Sequence, residues 1–156
     1  MALSVENALA VKQKSIPSSR NPASQSILRT LFSYFAQHLP GKEFQLVPIS
    51  GLETADVVGA DVAASLFAVL VRKPTASTTN AWFKASDNTT TAGTNPDFAL
   101  KLIGTAGGGL EHCPVFPKGL PFGTGITFGS HTANNGNTKS NAADAPIGFA
   151  IVGASL

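Results

Sequence analysis

The chain has 156 residues and a formal net charge of +2, and only 13% of its residues are charged, about half the usual share of ~25%. Because 43% of the residues are hydrophobic, the composition excludes intrinsic disorder, which requires abundant charge and few apolar side chains. The small net charge also argues against a dedicated nucleic-acid-binding protein. We therefore expect one globular domain that buries a sizeable core.

Cysteine usage and hydrophobic runs exclude further classes of protein. The single cysteine, Cys113, rules out an internal disulfide and a multi-cysteine zinc site. No apolar run approaches the ~20 residues of a membrane-spanning helix, and the apolar run at 8–11 is too short for the core of a signal peptide. We therefore expect a soluble protein, made inside the cell, that has no membrane partner.

Residues 1–22 predict an extended N-terminal arm. Pro17 and Pro22 interrupt regular pairing in a stretch of small polar residues. Such a segment is either a disordered tail or a tether that becomes ordered on the surface of a partner. The positive charge of the chain is concentrated toward this end. If the arm binds a partner, the candidate contact residues in it are Lys12, Lys14, Ile16 and Arg20.

The segment 23–42 predicts one short helix, over residues 24–38. Apolar side chains recur there at spacings of three and four residues, which produces one apolar stripe along a helix. Pro40 and Gly41 end it. The stripe either packs on the core of its own domain or docks on a neighbouring subunit, and for docking the candidate residues are Leu28 and Phe32.

The region 43–156 predicts seven or eight short β-strands with turn residues between them. The strongest strand candidate is 61–73, whose centre is continuously apolar, and Trp82 and Lys84 alternate with apolar residues in a second strand at 80–85. No strand–helix–strand alternation follows residue 43, which argues against a parallel α/β sheet. The pattern is typical of an all-β sandwich or jelly roll. The other predicted strands are 44–49, 98–103, 110–116, 125–129 and 147–152.

The residue types that usually carry chemistry are sparse and scattered in this sequence. His38, His112 and His131 show no metal-ligand spacing, and Cys113 has no neighbouring base. The glycine-rich run 123–129 lacks both the lysine and the following helix of a phosphate-binding loop. We therefore predict a protein that is not an enzyme and that has no cofactor and no metal site.

Two short motifs have a structural and a functional interpretation. Asn88 begins an Asn-Thr-Thr sequon, which we interpret as a polar turn because no secretory signal is recognisable. Trp82 and Phe83 are either core residues of a strand or an aromatic platform for sugars or bases, and the core interpretation is favoured.

Four segments of the strand region carry a resemblance to a known family. They are an apolar strand at 63–73 (AASLFAVLVRK), an aromatic-Lys-x-x-Asp strand at 82–87 (WFKASD), an alternating strand at 98–102 (FALKL), and a Pro-x-Gly-x-x-Phe motif within 116–126 (FPKGLPFGTGI). A polar loop and a terminal apolar strand follow. Over about residues 61–152, the chain resembles the small β-sandwich structural proteins of tailed bacteriophage particles, which include capsid decoration (cement) proteins.

The resemblance implies a function that agrees with the lack of a recognisable catalytic motif in the sequence. It implies a non-enzymatic virion protein on the capsid surface, made in the host cytoplasm, which bridges and stabilises capsid subunits. Its partners would be the major capsid protein and further copies of itself, as a homotrimer or another homo-oligomer. Two alternatives stay open: a phage tail or neck component, and a carbohydrate-binding β-sandwich module in which Trp82 is an exposed platform.

Overall fold

The computed structural model describes residues 22–39, 41–73, 79–104 and 111–154. The chain divides into two compact units, Met1–Glu43 and Phe44–Leu156. The first unit contains helix α1, Pro22–His38, which coincides closely with the predicted helix and includes Pro22 in its first turn, a position that suits proline. Apart from Pro22, the predicted arm lies outside the described residues. Within the described ranges, no helix has the length and apolar character needed to cross a membrane.

The second unit consists of eight strands in two four-stranded sheets, and all the strand pairs are antiparallel. This confirms the prediction of an all-β sandwich with a single short helix. The strands are β1 Phe44–Ile49, β2 Val57–Ala60, β3 Ala64–Arg72, β4 Ala81–Ser86, β5 Phe98–Leu102, β6 Val115–Phe122, β7 Ile126–His131 and β8 Ile147–Ala154.

The strand order is nested. Sheet 1 has the order β1-β8-β3-β6, and sheet 2 has the order β2-β7-β4-β5. The first strand therefore pairs with the last, the second with the seventh, the third with the sixth and the fourth with the fifth. Two more pairings, β3 with β8 and β4 with β7, join these ribbons into the two sheets. Most contacts consequently connect residues that are far apart in the sequence.

The hydrophobic core is built from apolar side chains of both sheets. In β4, Phe83 and Ala85 belong to the core while Lys84 lies on the opposite face, as the alternation in the sequence predicts. Phe83 stacks on Phe128 of β7 with ring centroids 5.6 Å apart. Eight of the nine residues of β3 are buried, which explains why its sequence is continuously apolar rather than alternating.

Two elements differ from the sequence prediction, β2 and β6. The strand predicted at 110–116 begins at Val115 and extends to Phe122. The two prolines within β6, Pro117 and Pro121, are tolerated because β6 is an edge strand of sheet 1. Gly119 has a φ of 76°, and its left-handed backbone accompanies a shift of register against β3. The short strand β2 was not predicted because four residues with one glycine carry too weak a pattern.

Candidate functional site

The partner-binding residues predicted from the sequence lie in or before α1. Lys12, Lys14, Ile16 and Arg20 fall outside the described residues, and Leu28 lies within α1. Phe32 also lies in α1, with 7% of its surface exposed. Partner binding through these six residues therefore stays a prediction.

The isolated histidines and the cysteine do not come together in a site. Among the residues that the structure describes, no group of three or more His, Cys, Asp or Glu side chains could hold a metal ion. His112 pairs through its backbone with Val71, by bonds of 2.8 and 3.0 Å. Cys113 is exposed and lies just before β6 rather than in a strand. Desolvation of its thiol and the charge of Glu111 raise the pKa of Cys113, which makes it a poor nucleophile at neutral pH.

Four ionisable side chains instead meet on the outer face of sheet 2, and sequence reasoning did not single them out as a group. We call Asp56, Lys84, His131 and Lys139 the charge cluster. The antiparallel register places Lys84 opposite Gly129 and Trp82 opposite His131, so Lys84 and His131 share the face that points away from the core. The other two members come from the segment before β2 and from the loop between β7 and β8.

Lys84 is fully buried, with 0% of its surface exposed. Its Nζ donates a hydrogen bond of 2.7 Å to the carbonyl oxygen of Gly136. Desolvation lowers the pKa of Lys84, the nearby Asp56 opposes this shift, and Lys139 adds to it. The residue opposite Lys84 on β7, Gly129, has no side chain, and this leaves space for Asp56 and Ala92 to approach the sheet. A Cβ at Gly129 would lie 2.5 Å from both Asp56 Oδ1 and the Cβ of Ala92.

Asp56 connects three segments of the chain. Its Oδ2 accepts a 2.9 Å hydrogen bond from the backbone N–H of Ala92, in the loop between β4 and β5. Its Oδ1 forms an ion pair with Nζ of Lys139, in the loop between β7 and β8. The carboxylate therefore fastens both loops to the edge of sheet 2 where β2 begins, and it is the only acid in the charge cluster.

His131 lies at the end of β7 with 2% of its surface exposed. Its Nδ1 has no hydrogen-bond partner among the described residues. Desolvation, followed by the charges of Lys84 and Lys139, lowers the pKa of His131 to about 4. The imidazole is therefore neutral at pH 7, and the cluster holds two cations and one anion.

A second buried ion pair fastens the far end of the loop that follows β7. Nζ of Lys73 lies 2.8 Å from Oδ1 of Asp144, with side-chain exposures of 2% and 3%. Nζ of Lys73 also donates to the carbonyl oxygen of Thr79. This pair joins the chain after β3 to the segment that leads into β8.

The glycine-rich turn between β6 and β7 binds the side-chain carboxylate of Asp87 through its backbone N–H groups. The carboxylate of Asp87 accepts hydrogen bonds from the backbone N–H groups of Gly123, Thr124 and Gly125, at 2.7, 2.6 and 3.3 Å. The bonds from Thr124 and then Gly123 are the main reason that the pKa of Asp87 is lowered. The neighbouring Asn88 caps its own turn with its side-chain oxygen, as the polar-turn interpretation predicts.

The two aromatic residues of β4 lie on opposite faces of sheet 2. Phe83 is completely buried in the core, whereas Trp82 is half-buried on the outer face. The register places Trp82 between Lys101 of β5 and His131 of β7. Trp82 therefore lies on the outer face between the charge cluster on one side and the exposed Lys101 on the other.

The buried ionisable side chains thus serve to fasten loops onto the sandwich. No protein-family model, curated protein or solved structure matches this chain.

Proposed function

We propose that this protein is a non-enzymatic structural protein of a virus particle, and specifically a capsid decoration (cement) protein. The observation that carries the proposal is the nested pairing of eight antiparallel strands in two four-stranded sheets. This order supports a jelly-roll assignment, an architecture that recurs in viral capsid domains and in lectins. The shared architecture supports a structural role by analogy of fold, since one fold hosts many functions.

The use of charge in the sandwich supports a structural role. An active site needs titratable groups that converge on a space where a substrate can sit. Here Asp56 and Asp144 each pair with a lysine, and Asp87 binds backbone N–H groups. These carboxylates contribute to holding loops in place, which suits a domain that must resist opening on a particle surface.

The strand edges also support assembly through faces and loops rather than through sheet extension. Edge strand β6 contains Pro117, Lys118 and Pro121, and edge strand β1 contains Pro48. Proline and lysine on an edge prevent another chain from adding a strand. Copies of this protein would therefore assemble in a closed oligomer, such as a trimer at a three-fold position of a capsid, and bind the major capsid protein.

The copy number of the protein in purified particles tests the proposal. Quantitative mass spectrometry of virions should find it at on the order of hundreds of copies, in a simple ratio to the major capsid protein. A copy number on the order of tens or fewer would contradict the decoration role and favour a tail or neck component. Its absence from particles would overturn the proposal altogether.

Trp82 favours a second candidate, a carbohydrate-binding module. The ring is half-buried on the outer face of sheet 2, beside the exposed Lys101, and aromatic rings with polar neighbours bind the apolar faces of sugars. A Trp82→Ala variant that stays folded should lose retention on glycan columns if this function is correct. Val58, an exposed residue of β2, gives the matched control, and equal retention of wild type, Trp82→Ala and Val58→Ala would exclude sugar binding through Trp82.

A further inference from the structure

The first part of the loop between β7 and β8 is a short segment that polar contacts hold against sheet 2. We call residues 132–139 the flap. Its base is closed by the hydrogen bond of 3.0 Å from Thr132 N to Thr138 O and by the bridge between His131 and Lys139. Two contacts hold it against the sheet: Lys84 Nζ to Gly136 O at 2.7 Å, and the ion pair of Lys139 with Asp56.

The composition of the flap makes these polar contacts decisive. All of its residues are exposed or half-buried, so no buried apolar side chain anchors it. Segments with few buried apolar contacts open locally at a small cost in free energy. Beyond its base, the closed position of the flap therefore depends on its polar contacts with Lys84 and Asp56.

The cluster tolerates no further positive charge. Lys84 and Lys139 face the single carboxylate of Asp56, and His131 lies among them with its Nδ1 unpartnered. Lys101 is the other cation on this face, but it is exposed to solvent beyond Trp82. A proton on the imidazole would place a third cation in a buried site that has one anion, and buried charges that lack a partner are strongly unfavourable.

We propose that the flap is an acid-released latch: protonation of His131 expels residues 132–139 from sheet 2 and uncovers the ammonium group of Lys84. Protonation favours the open flap rather than the closed one, because opening lets water reach the imidazole and lets Lys139 move away from it. In support, the fold lowers the pKa of His131 to about 4, and exposure to water would return it toward the ordinary value of about 6.5. The latch does not depend on the proposed capsid function.

Hydrogen exchange of the full chain, measured by mass spectrometry at pH 6.5 and pH 4.5 and corrected for the intrinsic rate, tests this proposal. For a pKa of about 4 in the closed state and about 6.5 in the open state, opening linked to one proton predicts a loss of protection of about fortyfold for the flap amides between these two pH values. Peptides from β3 and β8 should remain far better protected than the flap at both pH values, because their amides exchange only through global unfolding. Equal protection of the flap at both pH values would overturn the proposal.

Two variants separate the latch from general acid sensitivity. His131→Gln, which cannot gain a charge, should keep the flap protected at pH 4.5, whereas the control His112→Gln should behave as wild type. Flap opening in His131→Gln over the wild-type pH range would contradict the proposal. If His131→Gln does not fold, an NMR titration of the wild type decides the question, because the His131 ring and the amide of Thr132 must then titrate with one midpoint. Different midpoints would exclude the latch.

Discussion

The residues that define this protein most clearly are buried charges rather than apolar side chains. Lys84 lies between Phe83 and Ala85 in a central strand and is as inaccessible as either of them. A lysine at such a position is costly unless its ammonium group has partners. Its partners come from a loop, so the residue ties the conformation of the loop to that of the sheet.

The charge cluster predicts unequal effects for its members. Asp56→Ala leaves two lysines without their carboxylate and Ala92 without its acceptor, so we expect the free energy of unfolding to fall by about 3 kcal/mol. Lys84→Met removes a buried charge while keeping its volume, and should cost no more than about 1.5 kcal/mol. Urea unfolding measures both, with the exposed Asp61→Ala as a control expected to stay within about 0.5 kcal/mol. Equal losses for Asp56→Ala and Lys84→Met would contradict this account.

His131 predicts how stability depends on pH. Its pKa is lowered to about 4 in the fold, below the ordinary value of about 6.5, so between these values the unfolded chain binds the proton and the folded chain does not. Protonation of His131 therefore favours the unfolded chain. The free energy of unfolding is highest above about pH 6.5 and falls as the pH is lowered toward 4, by at most about 1.4 kcal/mol per pH unit. Urea midpoints measured across this range should fall in the wild type and much less in His131→Gln. A fall of the same size in both proteins would assign the effect to other groups.

Among the elements, β3 and β8 form the centre of sheet 1, and the ion pair at their ends controls how the neighbouring loops leave the sheet. Lys73 follows β3 directly and Asp144 precedes β8. Both side chains are almost completely buried, and a charge left without its partner there would be strongly destabilising.

This ion pair predicts a strong double-mutant effect. Asp144→Leu should cost about 3–5 kcal/mol because it leaves the buried Lys73 ammonium group without its carboxylate, whereas adding Lys73→Met to it should recover most of that loss. Thermal and urea unfolding of the two single variants and the double variant measure the coupling. If the losses of the single variants simply add, the two groups do not act as a pair.

The edge strand β6 is protected against pairing with another chain by its own sequence. Replacing Pro117 and Pro121 by Thr and Lys118 by Val would remove the prolines and the charge from this edge, and we expect self-association at micromolar concentration. Light scattering after size-exclusion chromatography measures it. The replacement Lys101→Val on edge strand β5 is the control for the loss of charge alone, and association in the control but not in the β6 variant would contradict the role of the prolines.

At the scale of the whole molecule, the chain combines two units of different character. One is the sandwich from Phe44 onward, and the other carries α1 and the predicted arm. The arm lies outside the described residues apart from Pro22, so its role as a tether stays a prediction. A tether of this kind adds affinity through avidity, without a large folded interface.

Deletion of residues 1–22 tests the tether directly. We expect the truncated protein to keep the circular dichroism spectrum of a β-sandwich and to bind capsid shells at least about tenfold more weakly. Replacing Lys12, Lys14 and Arg20 by Ser in the full chain is the matched control for charge. Unchanged shell binding of the truncated protein would show that the first 22 residues are not a tether.

Local sequence patterns were sufficient to predict the class of the fold and the position of most strands. Alternation in β4 and the continuous apolar run of β3 are local patterns, and burial on one face or on both faces produces them directly. The helix was also predictable, because its stripe and its ending at Pro40 and Gly41 are local signals. Where local signals were weak, in β2 and in the proline-containing β6, the prediction missed the strand or misplaced it.

The strand order and the composition of the charge cluster could not be predicted from local patterns, because both depend on contacts between distant segments. Asp56 and Lys139 are 83 residues apart, and Lys73 and Asp144 are 71 residues apart, so no spacing in the sequence connects them. Their meeting depends on the nested pairing, which brings the segment before β2 and the loop after β7 to the same sheet. A single lysine within an apolar strand is a sign of buried charge, but its partners are identified only once the sheets have formed.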